Sequence, residues 1–154
     1  MKLRWAAVPV VALCACVLSG CTGKVKVDPA AGAADPKCAA VMLSLPDELG
    51  GNAKRATTSQ ATAAWGDPSA VILRCGVTSP GPTTTPCVSV DKIDWLSKDE
   101  GDHWRFVTYG RTPAVEVLID QRKVSGQNAI ATLSAAVSSL PQKRHCVGAK
   151  DVSN

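Results

Sequence analysis

Residues 88–95 read Val-Ser-Val-Asp-Lys-Ile-Asp-Trp, and this stretch carries the clearest strand pattern of the chain. Val88 and Val90 alternate with a polar residue, and Ile93 and Trp95 then alternate in the opposite phase. Alternation at every second residue is typical of a strand with one buried face, and a change of phase requires a turn or an extra residue. The stretch therefore predicts two short strands joined by a tight turn or bulge at Asp91-Lys92.

Further strands are predicted on both sides of these residues. The apolar run 70–75 is typical of a buried strand, and 104–109 and 114–119 are two more candidates, joined through the turn-forming residues 110–113. Residues 52–64 are rich in Ala and Thr, and their structure stays open at this level.

Helical patterns flank the strands. Asp35-Pro36 is typical of a helix start, and Pro46 of a stop. Between them, apolar residues share one helical face: Cys38, Val41, Met42 and Leu45. A second stripe comprises Ile130, Leu133, Val137 and Leu140, ended by Pro141. This order predicts an α+β fold, a single small domain with an antiparallel sheet of about four to five strands flanked by N- and C-terminal helices.

The N-terminus has the pattern of an export signal. Lys2 and Arg4 precede an uncharged apolar stretch that is too short to span a bilayer. It ends in Leu18-Ser19-Gly20-Cys21, which resembles a bacterial lipobox. The resemblance implies cleavage after Gly20, a diacylglyceryl group on the Cys21 thiol and a fatty acyl chain such as palmitate on the new amino terminus. The alternative is an ordinary cleaved signal peptide in which Cys21 is incidental.

The predicted organisation therefore has three parts. Residues 1–20 form a lipoprotein signal peptide, residues 21–35 a flexible tether, and residues 36–154 the single α+β domain. The tether interpretation depends on composition, because Ala, Gly, Pro and Asp dominate and little apolar surface is available for burial.

Four cysteines remain after the predicted lipidation site: Cys38, Cys75, Cys87 and Cys146. An even number in an exported chain predicts two disulfides, for which three pairings exist. We favour Cys75–Cys87, which closes a short Pro/Thr-rich loop, and Cys38–Cys146, which ties the first helix to the C-terminal segment. The alternative, a metal site, lacks the CxxC or HxxxH spacing that such sites use.

Composition, charge and the missing motifs exclude several classes of function. The 154 residues are 45% hydrophobic and 19% charged, as expected of a folded domain. The formal charge of +4 is scattered, without the dense basic and aromatic runs of nucleic-acid binders. His103 and His145 have no nucleophile at a catalytic-motif spacing, and no motif implies a cofactor or a metal. We therefore expect a protein that is not an enzyme.

Several motifs together resemble a known family. They are Cys38 with Leu45-Pro46, Ala64-Trp65-Gly66-Asp67-Pro68, Leu73-Arg74-Cys75-Gly76-Val77, Trp95-Leu96, and Tyr109-Gly110-Arg111 before Val115-Glu116-Val117. This combination resembles DUF3515, an actinobacterial lipoprotein family of unknown function. The resemblance implies an envelope location and one folded unit, and it implies no reaction.

Arg74 and Arg111 are the candidate ligand-binding residues. Their guanidinium groups could clamp an anionic ligand, because such groups bind carboxylate or phosphate with two parallel hydrogen bonds. The alternative for Arg74 is an internal ion pair with Asp67 or Glu116. Two interpretations are also open for three aromatic residues, which either pack in the core or line a surface that binds a protein or a glycan: Trp95, Trp104 and Tyr109.

Two functions stay open at the sequence level. The favoured one is a non-catalytic lipoprotein on the extracytoplasmic face of the cell membrane, anchored through Cys21, that binds a partner protein or an envelope component. The alternative is a receptor for a small anionic ligand or cell-wall fragment that uses Arg74 and Arg111.

The lipid anchor can be tested directly. Cys21→Ser is expected to abolish labelling by a fatty-acid probe and to leave the precursor uncleaved, because serine lacks the thiol that accepts the diacylglyceryl group. Cys14→Ser, which keeps Cys21, serves as the matched control. Equal labelling of Cys21→Ser and wild type would contradict the lipoprotein interpretation.

Overall fold

The structure, a computed structural model, describes residues 23–147. This part of the chain contains two helices and eight strands. In chain order they are α1 (Pro36–Leu43), β1 (Glu48–Leu49), β2 (Asn52–Arg55), β3 (Thr62–Trp65), β4 (Val71–Val77), β5 (Cys87–Val90), β6 (Ile93–Asp99), β7 (His103–Thr108), β8 (Ala114–Asp120) and α2 (Gly126–Val137). The first helix begins at the predicted proline, and the Asp35 side chain caps it by accepting a hydrogen bond from the Lys37 N–H at 2.9 Å. Neither helix has the length and apolar character needed to cross a bilayer.

One antiparallel sheet contains all eight strands, in the order β1-β2-β3-β4-β8-β7-β6-β5. Strands β1 to β4 lie side by side in chain order, and β8 to β5 continue the sheet in reverse order. The two four-stranded halves meet where β4 pairs with β8. The α+β class and the antiparallel sheet are confirmed, and the sheet is larger than expected.

The additional strands are β1, β2 and β3, and β2 and most of β3 fall within residues 52–64, whose structure the sequence left open. In β3 all four residues are buried, so the strand shows no alternation between apolar and polar positions. Trp65 is fully buried in the core, and its indole N–H donates to the Pro46 carbonyl at 3.1 Å. On the other face, the Thr62 hydroxyl donates to Ser59 O at 2.6 Å. Because both faces of β3 are buried, its sequence lacks the apolar/polar alternation that is typical of a strand with one buried face.

The hydrophobic core lies between one face of the sheet and the two helices. At the centre of the sheet, Leu73 is opposite Val117, and both are fully buried. From α2, Ile130, Leu133 and Val137 pack into the same core, as predicted. The helix ends at Val137, so Leu140, the last residue of the predicted stripe, enters the core from beyond the helix. Burial of each such aliphatic side chain contributes about 1.5–3 kcal/mol.

The hairpin predicted from residues 88–95 is confirmed. β5 pairs with β6 so that Val90 is opposite Ile93 and Val88 is opposite Trp95. The two turn residues, Asp91 and Lys92, have φ of 49° and 65°. Left-handed backbone at both central residues is typical of the turn that matches the twist of a two-residue hairpin.

The disulfide pairing proposed from the sequence is wrong. The structure pairs Cys38 with Cys75 and Cys87 with Cys146, at Cα separations of 5.6 and 5.7 Å. A Cys75–Cys87 bond is excluded because β8, β7 and β6 lie between β4 and β5. Four strand spacings amount to about 19 Å, far more than the roughly 4–7 Å that a disulfide spans between Cα atoms.

The assignment of residues 21–35 to a flexible tether also needs correction over residues 23–35. The Val25 N–H donates to Ala56 O at 2.8 Å, and Val27 is 7% exposed. The Gly32 N–H donates to Gly76 O at 2.9 Å. A Cβ on Gly76, whose φ is +98°, would lie 2.3 Å from the Gly32 carbonyl carbon, so only glycine allows this approach.

The folded unit therefore begins before residue 36, and the contacts with β-strand residues explain why a segment of low apolar content is ordered. The predicted signal peptide over residues 1–20 and the lipidation site Cys21 lie outside the described residues, as do residues 148–154.

Proteolysis without reduction is expected to release peptides linked through Cys38–Cys75 and through Cys87–Cys146, as mass spectrometry can determine. The same digest after reduction is the control. Replacing Cys38 and Cys75 together by alanine should lower the free energy of unfolding by about 4 kcal/mol in the chain-entropy model, given their separation of 37 residues. Recovery of a Cys75–Cys87 peptide would contradict the strand order.

Candidate functional site

An open groove of about 490 Å³ lies between strands β5 to β7 and the N-terminal end of α2. Its lining residues are Val88, Ser89, Val90, Ser97, Trp104, Phe106, Gly126, Gln127 and Ile130. The apolar members come from alternate positions of two strands and from one helix face. The groove therefore has an apolar floor and a polar rim, a composition typical of binding sites.

The floor of the groove is formed by two aromatic rings of β7. Trp104 and Phe106 occupy alternate positions and stack with ring centroids 5.9 Å apart and an angle of 28° between their planes. Phe106 is 6% exposed, whereas Trp104 is only partly buried. Gly126 allows α2 to begin directly against these rings, since a Cβ there would lie 3.1 Å from Phe106 Cε2. The rigid rings present a defined apolar surface.

The free edge of the sheet runs beside this groove, because β5 is the end strand. The Ser97 N–H donates to Pro86 O at 2.9 Å, and the Tyr109 N–H donates to Asp94 O at 2.7 Å. The Asp94 backbone therefore faces β7, and that of its partner Ser89 faces away from β6. No residue in the described range hydrogen-bonds the N–H or C=O of Ser89.

Arg74 lies on the opposite face of the sheet, away from the helices, and forms the internal ion pair that was one of its two predicted roles. Its Nε and Nη2 lie 2.6 and 2.5 Å from Glu116 Oε2. Arg105 Nη1 lies 2.5 Å from the other oxygen, Glu116 Oε1. Glu116 is 3% exposed, so its charge is buried between two guanidinium groups. Asp67, the other predicted partner of Arg74, pairs with Arg55 at 3.0 Å.

A second group of charges continues from Arg105 towards the β6–β7 turn. Glu100 lies 3.2 Å from Arg105 Nε and 3.0 Å from Lys98 Nζ. The hydrogen bond from Lys98, followed by that from Arg105, lowers the pKa of Glu100 to about 2. His103 Nδ1 lies 2.5 Å from Asp102 Oδ1, and this contact raises the pKa of His103, with a smaller contribution from Glu100. The stabilising charge of His103 is therefore lost as pH rises through that raised pKa.

Arg111, the second candidate ligand residue, is buried at the C-terminal end of α2. Its guanidinium donates to Leu140 O and, at 2.9 Å, to Gln142 Oε1. Burial lowers the pKa of Arg111, although Asp94 opposes this effect. The carbonyls that end a helix lack partners within it, and Arg111 supplies a donor to this region. Arg74 and Arg111 have separate internal partners, and the structure does not bring them together as a clamp.

Among the aromatic residues singled out in the sequence, only Trp104 lines the groove. Trp95 is fully buried in the core, as is Trp65. Phe106 was not singled out, although its place two residues after Trp104 puts both rings on one face of a strand. Val88 and Val90 were recognised as strand residues and not as site residues, because the sequence does not show that β5 is an edge.

The chemistry available in the groove is that of binding. Its side chains offer apolar area and the Gln127 amide, and the adjacent edge offers main-chain donors and acceptors. The hydroxyls of Ser89 and Ser97 donate to Asp94 and to the Pro86 carbonyl. All four cysteines after Cys21 are in disulfides. Within residues 23–147, no cluster of three or more His, Cys, Asp or Glu side chains could hold a metal ion.

Substitution of Arg74 measures the contribution of the buried ion pair. Arg74→Ala is expected to lower the free energy of unfolding by about 1.5–3 kcal/mol, because Glu116 loses one charged partner and keeps Arg105. The thermal midpoint should fall by roughly 5–10 °C. The control is Arg122→Ala, whose exposed pair with Asp120 should contribute little. An Arg74→Ala domain that melts like wild type would contradict the structural role of this arginine.

Comparison with known proteins identifies a family but no activity. A family model described as a protein of unknown function, DUF3515, matches residues 5–145. No curated protein and no solved structure matches the chain. The matched range includes both helices, all the strands described above and the groove between them. The chain therefore belongs to the DUF3515 family of proteins of unknown function.

Proposed function

We propose that this protein is a lipoprotein anchored through Cys21 to the extracytoplasmic face of the cell membrane, where it binds an extended peptide segment of an envelope protein without catalysing a reaction. The lipobox-like residues 18–21 support the anchor. The observation that carries the binding function is the apolar groove that runs along the free edge of β5.

The edge determines the conformation of the ligand. A strand with outward-facing N–H and C=O groups pairs with another extended chain, and the backbone of Ser89 provides one such pair of groups. A folded surface or a sugar does not present the regular ladder that these groups match. The chemistry of the edge therefore favours an extended peptide.

The groove determines which side chains the peptide carries. Successive side chains of an added strand point to opposite faces of the sheet. Those on the helix side would lie beside Val88 and Val90, at the end of the groove that continues across β6 to Trp104. Val88 is 40% exposed, so it has apolar surface left to bury. We therefore infer that the peptide has apolar residues at alternate positions.

The alternative function, a receptor for a small anionic ligand, relied on Arg74 and Arg111. Both guanidinium groups hydrogen-bond internal partners, Glu116 for Arg74 and the C-terminal end of α2 for Arg111. An anion would have to compete with these partners. The groove therefore supports peptide binding better than the two arginines support a receptor.

Peptides selected from a displayed library of random ten-residue sequences, with the purified mature protein as bait, provide the test. Ser89→Pro is expected to weaken binding of the selected peptides at least tenfold, because it removes an outward N–H that the sheet itself does not use. Ser89→Ala is the matched control, since it keeps the N–H and removes only the hydroxyl, which donates to Asp94.

Trp104→Ala should also weaken binding at least tenfold, because the groove loses its largest apolar side chain. Circular dichroism and thermal melting of each variant establish that the fold is intact. Selected peptides that bind Ser89→Pro and Trp104→Ala as well as wild type would contradict the proposal. Binding of cell-wall fragments that disappears in Arg74→Ala would instead support the receptor.

A further inference from the structure

The N-terminal segment is attached to the domain up to its first described residue. Arg55 Nη2 donates to Gly23 O at 3.0 Å. The Thr58 N–H donates to Val25 O at 3.0 Å, and the Val27 N–H donates to Thr58 Oγ1 at 3.2 Å. Gly23 thus lies beside the end of β2, two residues after Cys21 in the sequence.

We propose that the protein sits directly on anionic lipid headgroups through the surface of the N-terminal segment that carries Lys24 and Lys26, which we term the anchor-side surface. This inference rests on the proposed lipidation of Cys21. Two residues span at most about 7 Å, so the Cα atom of Gly23 lies within about that distance of the Cα atom of the acylated Cys21. The hydrogen bonds from Arg55 to Gly23 O and from the Val25 N–H to Ala56 O then hold the end of β2 close to this segment.

The charges of the anchor-side surface suit an anionic membrane. Lys24 and Lys26 are exposed, flank Val25, and form no ion pair within residues 23–147. Lys54 pairs with Asp47 at 3.5 Å, and Arg55 with Asp67 at 3.0 Å. The two lysines nearest to Cys21 therefore have no acidic partner among the described residues and are available to anionic phospholipid headgroups, which attract basic residues near the membrane surface.

This orientation places the groove away from the membrane. Six strand spacings separate β2 from β5, which corresponds to about 29 Å across the sheet. The lipid anchor holds one end of the sheet, and the free edge is at the other end. A peptide segment of a partner can then reach β5 without displacing lipid.

The experiment uses the lipidated mature protein, which begins at Cys21, added to preformed vesicles of phosphatidylcholine, with or without phosphatidylglycerol. An amine-reactive reagent modifies exposed lysines, and mass spectrometry measures the rate at each position. In vesicles with phosphatidylglycerol, Lys24 and Lys26 are expected to react at least threefold more slowly than Lys98 and Lys143, which lie outside the anchor-side surface.

The matched control variant carries twelve Gly and Ser residues inserted between Thr22 and Gly23. It keeps the lipid and the charges and adds a flexible spacer, so the protection of Lys24 and Lys26 should fall by at least half. Equal reactivity of all four lysines in the acylated wild type would overturn the inference. Equal protection in vesicles without phosphatidylglycerol would overturn the part assigned to anionic headgroups.

The intact mass of the same sample distinguishes a failure of the proposed lipidation from a failure of the proposed docking on headgroups. A mass without acyl chains on Cys21 would contradict the lipoprotein function and, with it, membrane docking. A mass with acyl chains but without lysine protection would overturn only the docking and leave the anchor in place.

Discussion

Pairing between β4 and β8 is the interaction on which the rest of this structure depends. These strands are distant in sequence and central in the sheet, where they join the two four-stranded halves. On the helix side, Leu73 and Val117 meet within the core. On the other side, Arg74 lies opposite Glu116 and forms an ion pair with it. Apolar packing and a charged hydrogen bond thus specify one register from both faces, since a shift by one residue would exchange them.

Because β8 follows β4 in the sheet, the hairpin β5–β6 is placed at the far end and its outer strand is left unpaired. An unpaired edge is a site for association, and natural proteins commonly shorten or cover it. β5 is only four residues long, and the disulfide Cys87–Cys146 ties its first residue to the C-terminal segment. The rest of the edge has no neighbouring strand within the described residues. The same topology places the N-terminal segment at the other end of the sheet, beside β2 and β3.

Buried charge in this protein stabilises structure on one sheet face, while the opposite face offers the apolar groove. Glu116 is held by arginines of β4 and β7, its two neighbouring strands, so one carboxylate links three strands. A buried carboxylate that lost a partner would be costly, which explains why Arg74 is engaged internally. Arg111 is engaged by the carbonyl of Leu140 and by Gln142. The groove, whose apolar surface is open, is therefore the binding site that we propose.

The sequence by itself determined the α+β class, the start of α1, the hairpin at Asp91-Lys92, the face of α2 that enters the core, and the family to which the motifs belong. These features depend on local periodicity and turn chemistry, which act over a few residues. Only the tertiary structure decided the strand order, the pairing Cys38–Cys75, the packing of residues 23–35 and the position of the groove. Each of these joins residues far apart in the chain, and their pairing depends on which strands lie between them in the sheet.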